Sequence, residues 1–153
     1  LRSDFTDCSE HWIDNNVHFC IEPMIVGTEW LIEAVGCDAE ALRDEAVIRS
    51  IFDSVMSDLG LRSVGSVWHK FPGEGGVTGM IALTESHLAC HTYPEYGTAT
   101  FNLYCCRTRP EWDWEGFLKS AVGAETVSVT KIDRGESPLL SSSIKYVAAG
   151  GEA

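Results

Sequence analysis

The run Thr84-Glu85-Ser86-His87-Leu88-Ala89-Cys90-His91-Thr92-Tyr93-Pro94-Glu95-Tyr96-Gly97 gathers side chains that do chemistry, and the adjacent thiols Cys105-Cys106 follow one strand later. A hydroxyl nucleophile, two imidazoles, an aromatic-proline-acid turn and a pair of thiols share one short region. Imidazoles and thiols can move protons near neutral pH, and hydroxyls can act as nucleophiles. The region sits where a central strand would otherwise carry Val and Ile. A strand this polar is usually a local rule broken for function. Taken singly the residues say little: Ser86 reads as a strand-edge serine, His91 as a hydrogen-bonded strand histidine, Glu95 as an exposed acid in a turn.

The elements that must position these groups follow from periodicity. Thr28–Val35 reads as a mostly buried strand. Asp38 then caps a helix to about Leu59, because Leu42, Ile48, Ile51, Phe52, Val55, Met56 and Leu59 recur at helical spacing and Gly60 ends it. Arg62–Phe71 is a second strand and Pro72–Gly76 a turn. Val77–Leu83, His87–Thr92 and Thr98–Cys105 are three more strands, with Tyr93–Gly97 as the bend between the last two. In the third of these, alternation puts Ala99, Phe101, Leu103 and Cys105 on one face and Thr100, Asn102, Tyr104 and Cys106 on the other. Trp112–Val122 reads as a second helix and Glu125–Asp133 as a closing strand. This order predicts an α+β fold, a two-layer α/β sandwich with a mostly antiparallel sheet and two helices on one face. The bare face of the sheet needs a cover, which a second subunit would supply.

Composition narrows the class. With 153 residues the chain is long enough to bury a real core as one domain. Residues 25–135 are expected to form that domain, 1–24 an N-terminal extension and 136–153 a loosely ordered tail. No apolar run is long enough to span a bilayer and no signal peptide is evident, so a cytoplasmic protein without a membrane partner is expected. A net charge of −12 argues against nucleic acid, which binds clustered Lys and Arg, and is compatible with steering a cationic substrate. The six cysteines (Cys8, Cys20, Cys37, Cys90, Cys105 and Cys106) read as free thiols of a reducing compartment. Cys90, His91, Cys105 and Cys106 form no paired Cys-x-x-Cys knuckle, so no metal is expected.

The motif resembles the processing site of prokaryotic-type S-adenosylmethionine decarboxylases, a pyruvoyl-dependent family. The matching residues are Glu85-Ser86-His87, His91-Thr92, Tyr93-Pro94-Glu95 and Cys106. Gly27-Thr28-Glu29 through Gly36-Cys37-Asp38 is similar to the family's first strand and turn, His69-Lys70-Phe71 with Gly76-Val77-Thr78-Gly79 to its second and third strands, and Val127-Ser128-Val129 with Arg134-Gly135 to its last. The resemblance implies self-cleavage between Glu85 and Ser86. Ser86 would attack the preceding carbonyl to form an ester, and β-elimination would leave a dehydroalanine that hydrolyses to a covalent pyruvoyl group. Such a ketone forms a Schiff base with an amino acid and accepts the electrons released with CO2, so no dissociable cofactor is needed.

The same resemblance implies the other roles. Cys106, twenty residues after Ser86, takes the position of the proton donor to the substrate carbon, and a thiol with a reference pKa of about 8.5 is suited to donate. Cys105 then reads as a core thiol. His91 matches the base that drives elimination, Thr78 a hydroxyl that supports processing near the scissile carbonyl, and His87 a support for the loop. Phe71 and Tyr93 would sandwich adenine, and Glu95 would accept from both ribose hydroxyls. The expected activity is decarboxylation of S-adenosylmethionine for spermidine synthesis, by a homodimer with sites at the subunit interface. Arg107, Asn102, Thr98 and Glu29 depart from the family pattern. They keep two alternatives in view: a pyruvoyl-dependent arginine or ornithine decarboxylase, and an unprocessed, non-catalytic relative.

Overall fold

The computed structural model describes residues 25–135, so the extension and the tail expected from the sequence lie outside the described residues. In chain order the elements are β1 (Gly27–Val35), α1 (Ala39–Arg43), α2 (Glu45–Asp58), β2 (Ser63–Lys70), β3 (Val77–Leu83), β4 (Ser86–Tyr93), a 3-10 turn (Pro94–Tyr96), β5 (Thr98–Cys105), α3 (Trp114–Val122) and β6 (Thr126–Arg134). The strands form one sheet in the order β2-β3-β4-β5-β1-β6, with every neighbouring pair antiparallel. The helices lie on one face of it, as the α+β reading requires.

The helical segment after Asp38 is two helices rather than one. Asp38 accepts from Ala41 N–H at 2.8 Å to start α1, and Asp44, in an extended conformation, accepts from Ala46 N–H at 2.8 Å to start α2. A second aspartate cap breaks the helix without interrupting the apolar spacing, so Leu42, Ile48, Ile51, Phe52 and Val55 all still reach the core. The third helix starts two residues later than its pattern, because Asp113 caps it through Gly116 N–H. Trp112 stays outside and its indole N–H donates to Asp58 at 2.8 Å, tying the β5–α3 connection to the end of α2.

Burial alternates along the central strands with period two, as one covered sheet face demands. Trp30, Ile32 and Ala34 of β1, Leu88 and Cys90 of β4, and Ala99, Phe101, Leu103 and Cys105 of β5 face the helices. Phe52 of α2 fills the centre, edge-on to Trp68 at 4.9 Å. Gly79, opposite Trp68, has no room for a Cβ because the indole lies against it. The buried Thr92 hydroxyl is fully used: it donates to the Leu42 carbonyl at 2.8 Å and accepts from Val77 N–H at 2.7 Å, fastening α1 to the sheet.

Among the described residues no helix lies over the other sheet face. Cross-strand register aligns Met80, Ala89, Asn102 and Leu31 in one row across β3, β4, β5 and β1. Met80 and Leu31 remain 52% and 40% exposed there, so an apolar stripe runs through an otherwise polar surface. A shallow depression of ≈ 270 Å³ crosses this face between Leu31, Ala89, His91 and Asn102.

Candidate active site

Strand β4 carries candidate residues at both of its ends. It follows β3 through the two-residue turn Thr84-Glu85, so the Glu85–Ser86 bond sits where a hairpin turn enters a strand. The Glu85 carbonyl accepts from the Cys106 backbone N–H at 2.9 Å. A carbonyl held by a fixed N–H is one on which negative charge can develop, as in an oxyanion hole.

Register makes Ser86 and Cys105 cross-strand partners, so both side chains point to the helix side. The Ser86 hydroxyl is a hydrogen-bonding partner of the Cys105 thiol, which also meets the Arg109 guanidinium. Burial pushes the Cys105 thiol above its ordinary value, and those two contacts pull the other way. Cys106, which alternation and family spacing single out, is exposed and lies just past the strand. It pairs with the Tyr104 hydroxyl, and that hydrogen bond is the main reason the Tyr104 phenol is raised. Cys90, deep under the helices, is pushed up to about 12 by burial. In mildly alkaline solution iodoacetamide should therefore label the exposed Cys106 in the folded, uncut chain. Cys90 and Cys105 should react only after denaturation, as peptide mass mapping would show; early labelling of Cys105 would contradict this placement. The four residues weighed as zinc ligands are split, Cys90 and Cys105 buried on the helix side, His91 on the opposite face and Cys106 exposed beyond the strand end.

Around Cys106 the open face holds a polar network that sequence reading did not assemble. His87 stacks on Tyr104 at 5.7 Å and hydrogen-bonds Asn102 Oδ1 through Nε2 at 3.0 Å. The Asn102 amide donates to Glu29 at 2.7 Å, and Arg134 pairs with the other Glu29 oxygen. Since the Asn102 oxygen must accept, His87 Nε2 carries the proton. The bond from Asn102 is the main cause of the lowered Glu29 carboxyl, with Arg134 and the His87 charge acting the same way and burial opposing. Gly27 is what lets Tyr104 lie here, because a Cβ on it would run into the phenol. His87 is thus a member of this network. Glu29 and Asn102, separate departures from the family pattern in the sequence, are hydrogen-bonded partners.

The far end of β4 holds the remaining candidates. Thr78 Oγ1 and His91 Nδ1 are 3.0 Å apart on neighbouring strands. Phe71 and Tyr93 are both partly exposed, at 46% and 39%. Phe71 N–H donates to the Gly76 carbonyl at 3.0 Å, and Gly76 abuts Thr92, the residue before Tyr93, too closely for any side chain. Glu95 is exposed on the 3-10 turn that follows, closed by Gly97 in the left-handed region.

The two ends do not meet in one chain. His91 is five residues along β4 from Ser86, a span of roughly 17 Å at 3.4 Å per residue. Thr78, paired with His91, does not reach the Glu85 carbonyl either. The structure groups Ser86, Cys105, Cys106, Tyr104 and His87 at one end, and His91, Thr78, Phe71, Tyr93 and Glu95 at the other.

Sequence and fold are both similar to those of one family of known proteins. The sequence profile of the family described as S-adenosylmethionine decarboxylase matches residues 28–135. A protein named S-adenosylmethionine decarboxylase proenzyme from Prochlorococcus marinus (strain MIT 9313) is 31% identical over 127 residues, covering 82% of this chain and 100% of that one. One of the same name from Archaeoglobus fulgidus is 40% identical over 83 residues, 54% of this chain and 73% of its own length. The crystal structure of the adenosylmethionine decarboxylase from Aquifex aeolicus VF5 superposes with a TM-score of 0.60 over 72% of this chain and 92% of that chain, at 23% identity, and so shares the fold.

Proposed function

The chain belongs to the S-adenosylmethionine decarboxylase family, and from that premise we propose that it cuts itself at Glu85–Ser86 and then decarboxylates S-adenosylmethionine, supplying the aminopropyl donor for spermidine synthesis. The observation that carries the processing step is the Cys106 N–H held on the Glu85 carbonyl at 2.9 Å, with the Ser86 hydroxyl on the next residue. Attack by Ser86 Oγ moves charge onto that carbonyl oxygen, where the donor already waits. The pyruvoyl group left at residue 86 supplies an electrophilic carbonyl that takes the substrate amine and draws off the electrons freed with CO2. Cys106 stands exposed beside it to return a proton to the substrate carbon, oriented by the Tyr104 hydroxyl.

His91 takes the Ser86 Cα proton that elimination must remove. At roughly 17 Å along the same strand, it does so from a second copy of the chain, as its distance and the sheet face left open by the described residues both favour. Two copies packed face to face about a two-fold axis bring the Ser86 end of one onto the His91 end of the other, and cover the apolar stripe through Met80 and Leu31. In this homodimer Phe71 and Tyr93 flank the adenine, Glu95 accepts from the ribose diol, and Thr78 holds His91. The sulfonium cation suits the aromatic faces and the net charge of −12. Decarboxylation of arginine or ornithine would need a free carboxylate for the second cation. Glu29, the acid of the open-face network that includes His87, is already engaged on both oxygens.

Release of CO2 from carboxyl-labelled S-adenosylmethionine, arginine and ornithine tests the reading. Only the first should yield label, and Glu95→Ala should lower that turnover roughly a hundredfold by removing two charge-assisted hydrogen bonds. Label from either basic amino acid, or an unaffected Glu95→Ala, would refute the nucleoside assignment.

A further inference from the structure

The carboxylate of Glu85 is held from outside its own strand. Arg107 Nη2 lies 2.6 Å from one oxygen and Arg109 Nη2 3.8 Å from the other. Both arginines sit on the β5–α3 connection directly after Cys106, whose backbone holds the Glu85 carbonyl. Arg107 is 72% exposed on its side chain, while Arg109 is mostly covered and donates to the Leu59 carbonyl at 3.3 Å. Arg109 Nε is buried without any partner among the described residues, and the same guanidinium reaches the Cys105 thiol that touches Ser86.

The charge count at this spot is uneven. Two guanidiniums face one carboxylate, and neither forms another ion pair among the described residues. In a chain with 23 acids and 11 basic residues, an unmatched cation beside one peptide bond is out of keeping with the whole. The chemistry proposed for that bond creates the missing anion. Ser86 Oγ attacks the Glu85 carbonyl carbon, the peptide C–N bond breaks, and the Ser86 nitrogen gains a proton, leaving an ester. A base then removes the Ser86 Cα proton, the Cβ–Oγ bond breaks, and its electron pair departs on the α-carboxylate of Glu85. Water converts the dehydroalanine to the ketone with loss of ammonia. The leaving group of the elimination is therefore a carboxylate on the residue whose side chain Arg107 and Arg109 already hold.

We propose that Arg107 and Arg109 form a leaving-group site for self-cleavage: they position Glu85 through its side chain and neutralise the α-carboxylate that elimination releases there. This rests on the processing reading above. Afterwards residue 85 carries two carboxylates for two guanidiniums, and the new chain end stays docked. Arg109 has the larger share, because its partly covered guanidinium carries the unpartnered N–H and charge-assisted bonds strengthen away from water.

The test follows freshly translated full-length chain over time on denaturing gels, with and without hydroxylamine, which splits an ester but not an amide. Arg109→Gln should accumulate an ester that hydroxylamine cuts at once, with spontaneous cutting roughly ten- to a hundredfold slower. Arg109→Lys, which keeps the cation, should restore most of the rate. Arg107→Met, on an exposed side chain that the fold does not need, should show a smaller slowing with the same hydroxylamine-sensitive species. Cutting of both neutral variants at the parent rate would overturn the proposal. So would slow cutting without a trappable ester, since the arginines would then act before elimination or on folding alone. If the parent chain itself never divides, the processing reading fails instead, which keeps the two outcomes apart.

Discussion

Ser86→Ala is expected to run as one band at 16.8 kDa and to release no CO2 from S-adenosylmethionine, whereas the parent chain runs as two fragments divided after Glu85. The substitution removes one oxygen atom from a half-buried position whose partner is the Cys105 thiol. The fold should tolerate that loss, so far-UV circular dichroism and the melting temperature should hardly change. The chemistry has no substitute, because without the hydroxyl there is no ester, no elimination and no ketone. The Cys106 N–H would still hold the Glu85 carbonyl, now with nothing to attack it. Mass spectrometry completes the measurement: the parent's shorter amino terminus should lack a free amine and react with carbonyl-trapping reagents. An undivided but active Ser86→Ala protein would end the pyruvoyl account.

The second large effect is a gain. His91→Ala and Cys106→Ala should each be inactive alone, yet co-expression should restore roughly a quarter of parental activity. Random pairing makes half the dimers mixed, and a two-fold axis gives each mixed dimer one site with both changes and one with neither. This outcome follows if His91 and Cys106 reach a given site from different copies, as proposed from the length of β4 between Ser86 and His91. Activity that stays at zero after co-expression, with mixed dimers verified by tagged purification, would place both residues in the same copy and refute the shared site.

Much of this was legible in the sequence because strands with one covered face repeat every two residues. The boundaries of β3 and β5 follow from alternation and turn residues alone, and the buried set Ala99, Phe101, Leu103 and Cys105 follows from the same rule. The break at Asp44 was hidden because the apolar spacing runs straight through it. The available signal was a second aspartate followed by an acidic first turn, the pattern of a new helix start. The contact of Ser86 with Cys105 depends on the β4–β5 register, which the Pro94–Gly97 connection sets and spacing along one strand does not reveal. The Glu29–Asn102–His87 network was missed for a related reason. Its members come from three adjacent strands, and each taken singly looks like an isolated change of charge or a spare histidine.

The strand order has a thermodynamic corollary for a chain that severs itself after Glu85. The amino-terminal fragment contributes β1, β2 and β3, the carboxy-terminal fragment β4, β5 and β6, and β1 is inserted between β5 and β6. Neither fragment can leave without unzipping ladders on both sides of the other's strand, so the nicked molecule persists although nothing covalent joins its halves. Its disassembly is a dissociation as well as an unfolding. The entropy of two freed bodies then enters the balance, melting depends on concentration, and recovery after denaturation becomes second order. Nicking thus trades reversible folding for kinetic persistence, and the uncut precursor is the form that can find its native state alone.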